Sequence, residues 1–259
     1  MSAQFADEVG ENIRRLAEAS DLPQKSLDWM MAVGATGKYP YNFSWLGRPI
    51  IQYPQDMVAM QELIWSIKPD LIIETGIAHG GSLVFSASAL ALLDLGDAIA
   101  TGNTIDPKAS SRKALGIDID IRAHNRVAIE AHPMASRIQM IEGSSVAPDT
   151  IAQVQEEVKN YRRILVCLDS NHTHDHVLAE LEAYAPLVTK DSYCVVFDTL
   201  IEDMPEGSFP DRPWGKGDNP RTAVDAFLGK TNRFEVDTAM DAKLQISVAP
   251  GGYLKCVAD

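Results

Sequence analysis

Leu71-Ile72-Ile73-Glu74-Thr75-Gly76-Ile77-Ala78-His79-Gly80-Gly81-Ser82 decides how the rest of the chain is read. A short apolar run, Leu71–Glu74, enters a glycine turn, and an apolar helical stretch, Ser82–Leu93, leaves it. Glycines let a backbone approach a ligand closely, and a helix N-terminus presents unpaired N–H groups. Taken alone, the segment also reads as a tight strand-to-helix turn with Ser82 as its N-cap. Its glycines fall at 76, 80 and 81. That spacing is neither the GxGxxG dinucleotide fingerprint nor a Walker loop. Gly34-Ala35-Thr36-Gly37-Lys38 fails as a Walker loop too, because its glycines are too close and Tyr39 stands where a hydroxyl residue is needed.

Downstream the pattern alternates. Strand-length apolar runs fall at Leu71–Glu74, Leu115–Ile119, Ile138–Ile141, Ile164–Leu168 and Tyr193–Phe197. Helical stretches separate them at Ser82–Leu93, His124–Glu130, Ile151–Val158 and Asp175–Leu187. Near-continuous apolar strands alternating with helices predict a parallel sheet covered on both faces, a doubly wound α/β sandwich. Phe234–Val236, Leu244–Val248 and Tyr253–Val257 read as closing strands, with a hairpin through Ala249-Pro250-Gly251-Gly252. Upstream, Phe5–Ala19 and Gln55–Ile67 read as helices around an aromatic, proline-punctuated cap at Tyr39–Pro54. Two long polar segments, Asp94–Lys113 and Ile201–Asn219, read as loops. The second leaves the sheet edge where such folds bind ligands.

Composition narrows the class. The 259 residues are 46% hydrophobic and 23% charged, which excludes global disorder. The net charge of −13 disfavours a nucleic-acid partner. Cys167, Cys194 and Cys256 form no CxxC pair and read as buried free thiols of a reducing compartment. The acidic N-terminus lacks a signal-peptide pattern, and no membrane span of about 18 apolar residues is expected. A cytoplasmic protein is the expectation.

Chemistry-bearing residues collect at successive strand ends. After the glycine turn come Asp118 and Asp120 in Gly116-Ile117-Asp118-Ile119-Asp120. A carboxylate there suits a ribose diol. Glu142-Gly143-Ser144-Ser145 then offers small polar residues for an adenine. The fourth strand ends in Asp169-Ser170-Asn171-His172-Thr173-His174-Asp175-His176 and the fifth in Phe197-Asp198. Asp169 and Asp198 suit a hard cation, and His172 suits a general base. The His172, His174 and His176 run is one residue short of a zinc-hydrolase signature.

The segments IIETGIAHGGSL, GIDIDIRAHNR, IEGSS, LDSNHTHDHV and VVFDT, with RPW and ISVAPGGYLK, resemble the cephalosporin hydroxylase family. That family is similar to class I S-adenosylmethionine (SAM) methyltransferases and includes sugar O-methyltransferases. The resemblance implies a Rossmann-like, mostly parallel seven-stranded domain at 70–259 behind a helical extension and cap at 1–69. It implies that Glu74, Thr75, Gly76, Gly80 and Ser82 frame the methionine part of SAM, that Asp118 takes the ribose, and that Ser144 and Ser145 lie by the adenine. Asp169 and Asp198 would bind Mg²⁺, and His172 would be the base. The resemblance implies an acidic residue, found in several relatives, where Phe197 stands; two alternatives are open, that Glu202 or Asp203 from the following loop replaces that ligand or that the metal is weakly bound or absent. The implied protein is a homo-oligomeric, SAM-dependent O-methyltransferase of a sugar, glycolipid or glycosylated natural product. Two rivals stay open: an iron oxygenase using Asp169, His172 and His174, and a non-catalytic SAM-fold subunit.

Overall fold

A computed structural model describes residues 2–259. The helices are α1 (Ala3–Glu18), α2 (Leu22–Gly37), α3 (Pro54–Ile67), α4 (Gly81–Thr101), α5 (Ala123–Glu130), α6 (Pro148–Val158), α7 (His174–Tyr184), α8 (Pro220–Leu228) and α9 (Thr238–Leu244). Strands β1 (Phe43–Trp45) and β2 (Arg48–Ile50) pair as a separate hairpin. The main sheet contains β3 (Leu71–Thr75), β4 (Lys113–Asp118), β5 (Ile138–Glu142), β6 (Ile164–Leu168), β7 (Tyr193–Val196), β8 (Phe234–Val236) and β9 (Tyr253–Cys256). Its order is β5-β4-β3-β6-β7-β9-β8, and only β9 runs antiparallel to its neighbours. The doubly wound α/β sandwich is therefore the one the alternating pattern predicts, and its seven strands are those the family resemblance implies.

Side-chain alternation explains why these strands read as unbroken apolar runs. Ile72, Leu165, Cys167 and Val195 face the core beneath α3 and α4. Leu71, Ile73, Val166, Cys194 and Val196 face the opposite core, packed with Leu181, Tyr184, Val224 and Phe227. Both faces are dry, so both residue sets must be apolar.

Helix α4 runs to Thr101, beyond the Leu93 boundary read from sequence. Asp94 made the stretch look like a loop, but its carboxylate pairs with Arg112 and, at 2.8 Å, with Arg137. By length and composition alone, α4 is also long and apolar enough to cross a membrane. Leu83, Val84, Ala87 and Leu90 are fully buried, as a core helix of the sandwich requires.

The closing hairpin is a correction. Residues 244–248 do not form a strand; Leu244 ends α9, and β9 pairs with β7 and β8. Asp237 starts that helix by accepting from the Met240 N–H at 3.1 Å. The backbone that follows is engaged elsewhere. The buried Asp56 carboxylate of α3 accepts from the Val248 N–H at 3.0 Å, the Ser247 hydroxyl at 2.6 Å and the Tyr253 hydroxyl at 2.8 Å.

Burial pushes the Asp56 carboxyl up from 3.8 to about 6, against the pull of these hydrogen bonds. Its folded pKa exceeds the unfolded one, so its contribution is fully present below pH 3.8 and is lost as pH rises through about 6. Over that window wild type is expected to lose about 3 kcal/mol relative to Asp56→Asn in urea titrations. A pH-independent difference between the two would refute a buried titration. The three cysteines are free and buried, and burial pushes each thiol up. An aromatic disulfide reagent should leave all three unmodified in the native protein and titrate all three in denaturant.

Candidate active site at the switch point of the sheet

From β3 the chain winds outward to β4 in one direction, while β6 and β7 extend the sheet in the other. The crevice between the carboxyl ends of β3 and β6 is the switch point where open α/β sheets bind ligands. Gly76 and Asp169 meet there. Gly76 has φ +89°, and a Cβ on it would lie 2.1 Å from the Asp169 carbonyl oxygen. The Asp169 N–H donates to the Thr75 carbonyl at 3.0 Å and approaches the Thr75 hydroxyl at 3.3 Å. Thr75 thus fixes the start of the Asp169 loop. Gly76→Ala should cost at least about 3 kcal/mol through left-handed strain and overlap, read as a loss of thermal stability.

The glycine turn forms as expected, although Gly80 rather than Ser82 precedes α4. The Ser82 hydroxyl instead donates to the buried Glu74 carboxyl. Burial pushes Glu74 up to about 7, opposed by that hydrogen bond. Asp118 Oδ2 accepts from the Ile77 N–H at 2.8 Å and the Ala78 N–H at 3.2 Å, and Oδ1 accepts from the Asp120 N–H at 3.1 Å. Oδ2 is thereby filled, and Oδ1 retains capacity for a further donor such as a ribose hydroxyl. Ser144 is half-buried, whereas Ser145 is buried with its hydroxyl 3.0 Å from His176 Nε2.

The acidic end has a defined geometry. Asp169, His172 and Asp198 each offer a ligand atom, and these atoms lie within 4.8 Å of one another. His172 Nε2 is 3.3 Å from Asp198 Oδ2. Asp198 takes φ +58°, a left-handed conformation that strains a non-glycine residue and places its side chain at the strand end. Burial, and then the facing Asp198 carboxylate with Glu74 and Glu180 beyond it, pushes the Asp169 carboxyl well above the usual carboxylate range. A cation between the two aspartates would relieve that repulsion. The two carboxylates are the hard oxygen donors that Mg²⁺ takes, with water and substrate oxygens filling the remaining positions, and the His172 imidazole beside them is free to act as a base.

The expected replacement ligands are not there. Glu202 accepts from the Gly217 N–H at 2.8 Å and the Asn219 side-chain amide at 2.5 Å, so it ties down its own loop. Asp203 is exposed and outside the cluster. No third carboxylate joins Asp169 and Asp198 among the described residues; His172 lies beside them, where its imidazole can take a proton. The remaining histidines diverge: His174 Nδ1 lies 2.8 Å from the Thr222 hydroxyl, and His176 joins Ser145, Ser170 and Glu180. That separation removes the iron triad of His172, His174 and Asp169, and the zinc cluster with it.

Trp214 reaches the site from the loop after β7. Its ring meets His172 edge-on with centroids 4.8 Å apart, and the Arg212 guanidinium lies over the same ring, 5.2 Å from its centroid. Trp45 turns inward, donating to Ser88 at 2.9 Å and packing on Phe85. Sequence reading missed Arg48 and Asn125, which grip the glycine loop. A polar residue in the apolar register of α5 was the available signal for Asn125, which is 2% exposed.

A switch-point glycine turn, a second-strand acid and a carboxylate pair after the fourth and fifth parallel strands define a Rossmann-like methyltransferase class. The chain belongs to the Rhamnosyl O-methyltransferase/CmcI family, which matches residues 37–257. It is a SAM-dependent O-methyltransferase of that family. The rhamnosyl O-methyltransferase of Mycobacterium tuberculosis H37Rv is 30% identical over 201 residues, covering 77% of this chain and 72% of the relative. The Mycobacterium leprae enzyme of the same name is 28% identical over 221 residues, covering 84% and 85%. Among solved structures, CmcI with S-adenosylhomocysteine (SAH) overlays with TM-score 0.55 at 17% identity, covering 83% of each chain. CalS11, a TDP-rhamnose 3′-O-methyltransferase of calicheamicin biosynthesis, overlays with TM-score 0.51 at 16% identity, covering 100% of this chain and 97% of its own. At those identities the overlays speak for the fold.

Proposed function

We propose that the protein methylates a sugar hydroxyl, with a rhamnosyl unit as the acceptor class and with Mg²⁺ assistance. The observation that carries this reading is the convergence of Asp169, His172 and Asp198 beside the glycine turn. The mycobacterial relatives, named rhamnosyl O-methyltransferases, and a CmcI structure described as Mg–SAM support it.

Glu74, Thr75, Gly76, Gly80 and Ser82 would frame the methionine moiety of SAM. Asp118 would receive the ribose, and Ser144 and Ser145 would border the adenine. Asp169 and Asp198 would hold the metal, with His172 at its edge. When bound, a divalent cation lowers the pKa of an adjacent alcohol and orients it. His172 Nε2 takes the hydroxyl proton, and Asp198 stabilises the resulting imidazolium through the 3.3 Å contact. The acceptor oxygen forms a bond to the methyl carbon as the sulfur–methyl bond breaks, leaving SAH. Trp214, on the loop before α8 and edge-on to His172, would pack against the acceptor sugar beside the base.

Transfer of radiolabelled methyl from SAM to a panel of rhamnosides, with and without Mg²⁺, tests the reading. Label in the rhamnoside is expected, and label only in non-rhamnose sugars would replace the acceptor class. Absence of SAH binding by the folded protein would remove the reading altogether. A homo-oligomer is also proposed, supported by exposed Leu92, Leu95 and Ile99 along one side of α4. Light scattering that gave a monomer at micromolar concentration would end that part.

A further inference from the structure

We infer that Arg48 and Asn125 are positioning residues that clamp the glycine loop in its cofactor-binding shape. The β1–β2 hairpin thereby sets how tightly the cofactor is held. This inference rests on the SAM reading above.

The loop is gripped from two sides. On one side, Asp118 takes the N–H groups of Ile77 and Ala78. On the other, the Ala78 carbonyl accepts from Asn125 Nδ2 at 2.8 Å. The His79 carbonyl accepts from Arg48 Nε at 3.0 Å and Nη2 at 2.5 Å. Arg48 Nη2 also donates to Asn125 Oδ1 at 2.9 Å. That bond fixes the amide so that its nitrogen, not its oxygen, faces Ala78. The chain Arg48 to Asn125 to Ala78 is therefore directional, and each member specifies the next.

The clamp opposes a backbone that would relax without it. Ala78 is exposed and has φ +45°, which an alanine adopts only when its surroundings hold it there. A trans peptide sets the N–H of the next residue antiparallel to the carbonyl. Holding the Ala78 carbonyl against Asn125 therefore directs the His79 N–H away from the clamp. Among the described residues, that N–H has no hydrogen-bond partner. It is a donor left free in the turn where the anionic end of the cofactor's methionine is expected.

The hairpin that carries Arg48 is stiff and anchored. Leu46 and Gly47, at φ +45° and +87°, form its tight turn, and the Leu46 carbonyl lies 3.0 Å from His132 Nε2. Pro49 sits against the start of α4: a Cβ on Gly81 would lie 2.1 Å from the Pro49 carbonyl oxygen. The guanidinium is thus delivered by a rigid strut, and its planar fork makes contacts that a lysine ammonium cannot reproduce.

SAH binding by calorimetry and amide hydrogen exchange on the ligand-free protein, for wild type, Arg48→Met and Asn125→Ser, test the clamp. Partial loss of the competent loop should weaken SAH binding about tenfold in each variant. Exchange at Ile77 and Ala78 should accelerate by a similar factor while β3 and β6 amides stay protected. Unchanged affinity overturns the inference even if the melting temperature falls, because the contacts would then only dock the hairpin. Unchanged exchange overturns it as well. If Arg48→Met does not fold, Arg48→Lys carries the same expectations. If wild type binds no SAH, the cofactor reading falls, and loop exchange alone decides whether the clamp exists.

Discussion

Asp169→Ala is expected to lower methyl transfer about a thousandfold, the three factors of ten that several kcal/mol of lost charge stabilisation imply. The ligand-free variant should nevertheless melt no lower than wild type. Asp169 shares its pocket with Asp198, Glu74 and Glu180, and burial already drives its carboxyl toward the protonated form. In the free protein the buried group therefore costs stability near neutral pH, whether it is protonated or held ionised beside its acidic neighbours, and its removal relieves that cost. Opposite signs for activity and stability are the signature of a residue kept for its ligand. Turnover with Mg²⁺ and thermal melting in EDTA measure the two arms. A variant that retains more than about a tenth of wild-type turnover would show that this carboxylate does not hold the cation.

His172→Ala carries the second large effect, a loss of about 10²- to 10⁴-fold in turnover. Its cause differs from that of the first. His172 lies at the edge of the carboxylate pair, 3.3 Å from Asp198 and edge-on to Trp214, where an acceptor hydroxyl can reach it. SAH affinity should stay within about twofold of wild type, since the imidazole makes no contact with the glycine turn. A drop in SAH affinity equal to the drop in turnover would recast His172 as part of the cofactor site. Near-normal turnover would assign the proton to another group.

Much of the fold was legible because burial on both faces of a parallel sheet leaves a local mark. Ile72-Ile73, Leu165-Val166 and Val195-Val196 are apolar at both parities, as only a doubly covered strand needs to be. The 244–248 segment misled for a matching reason. Its alternating apolar residues meet the core from a non-ladder backbone, whose N–H at Val248 goes to a carboxylate far away in sequence on α3. Helix α4 was cut short because Asp94 looked solvated, while Arg112 and Arg137 partner it from the next two strands' approaches.

The site divides the same way. Residues at strand ends, Glu74, Gly76, Asp118, Asp169 and Asp198, could be placed from sequence, since a parallel strand's carboxyl end always reaches the same rim. Which residue would stand in for the acid missing at Phe197 could not. Glu202 and Asp203 are near in sequence but are held in or beyond their own loop, and His172 is the group that stands beside the Asp169–Asp198 pair. Arg48 and Asn125 were equally hidden, 77 residues apart until the hairpin and α5 close on one turn. By itself, then, the sequence determined the winding of the sheet and the rim where chemistry gathers, because burial and strand direction are written locally. Only the tertiary structure decided which side chains complete that rim, because hydrogen bonds and charge pairs between distant segments leave no periodic trace in either partner.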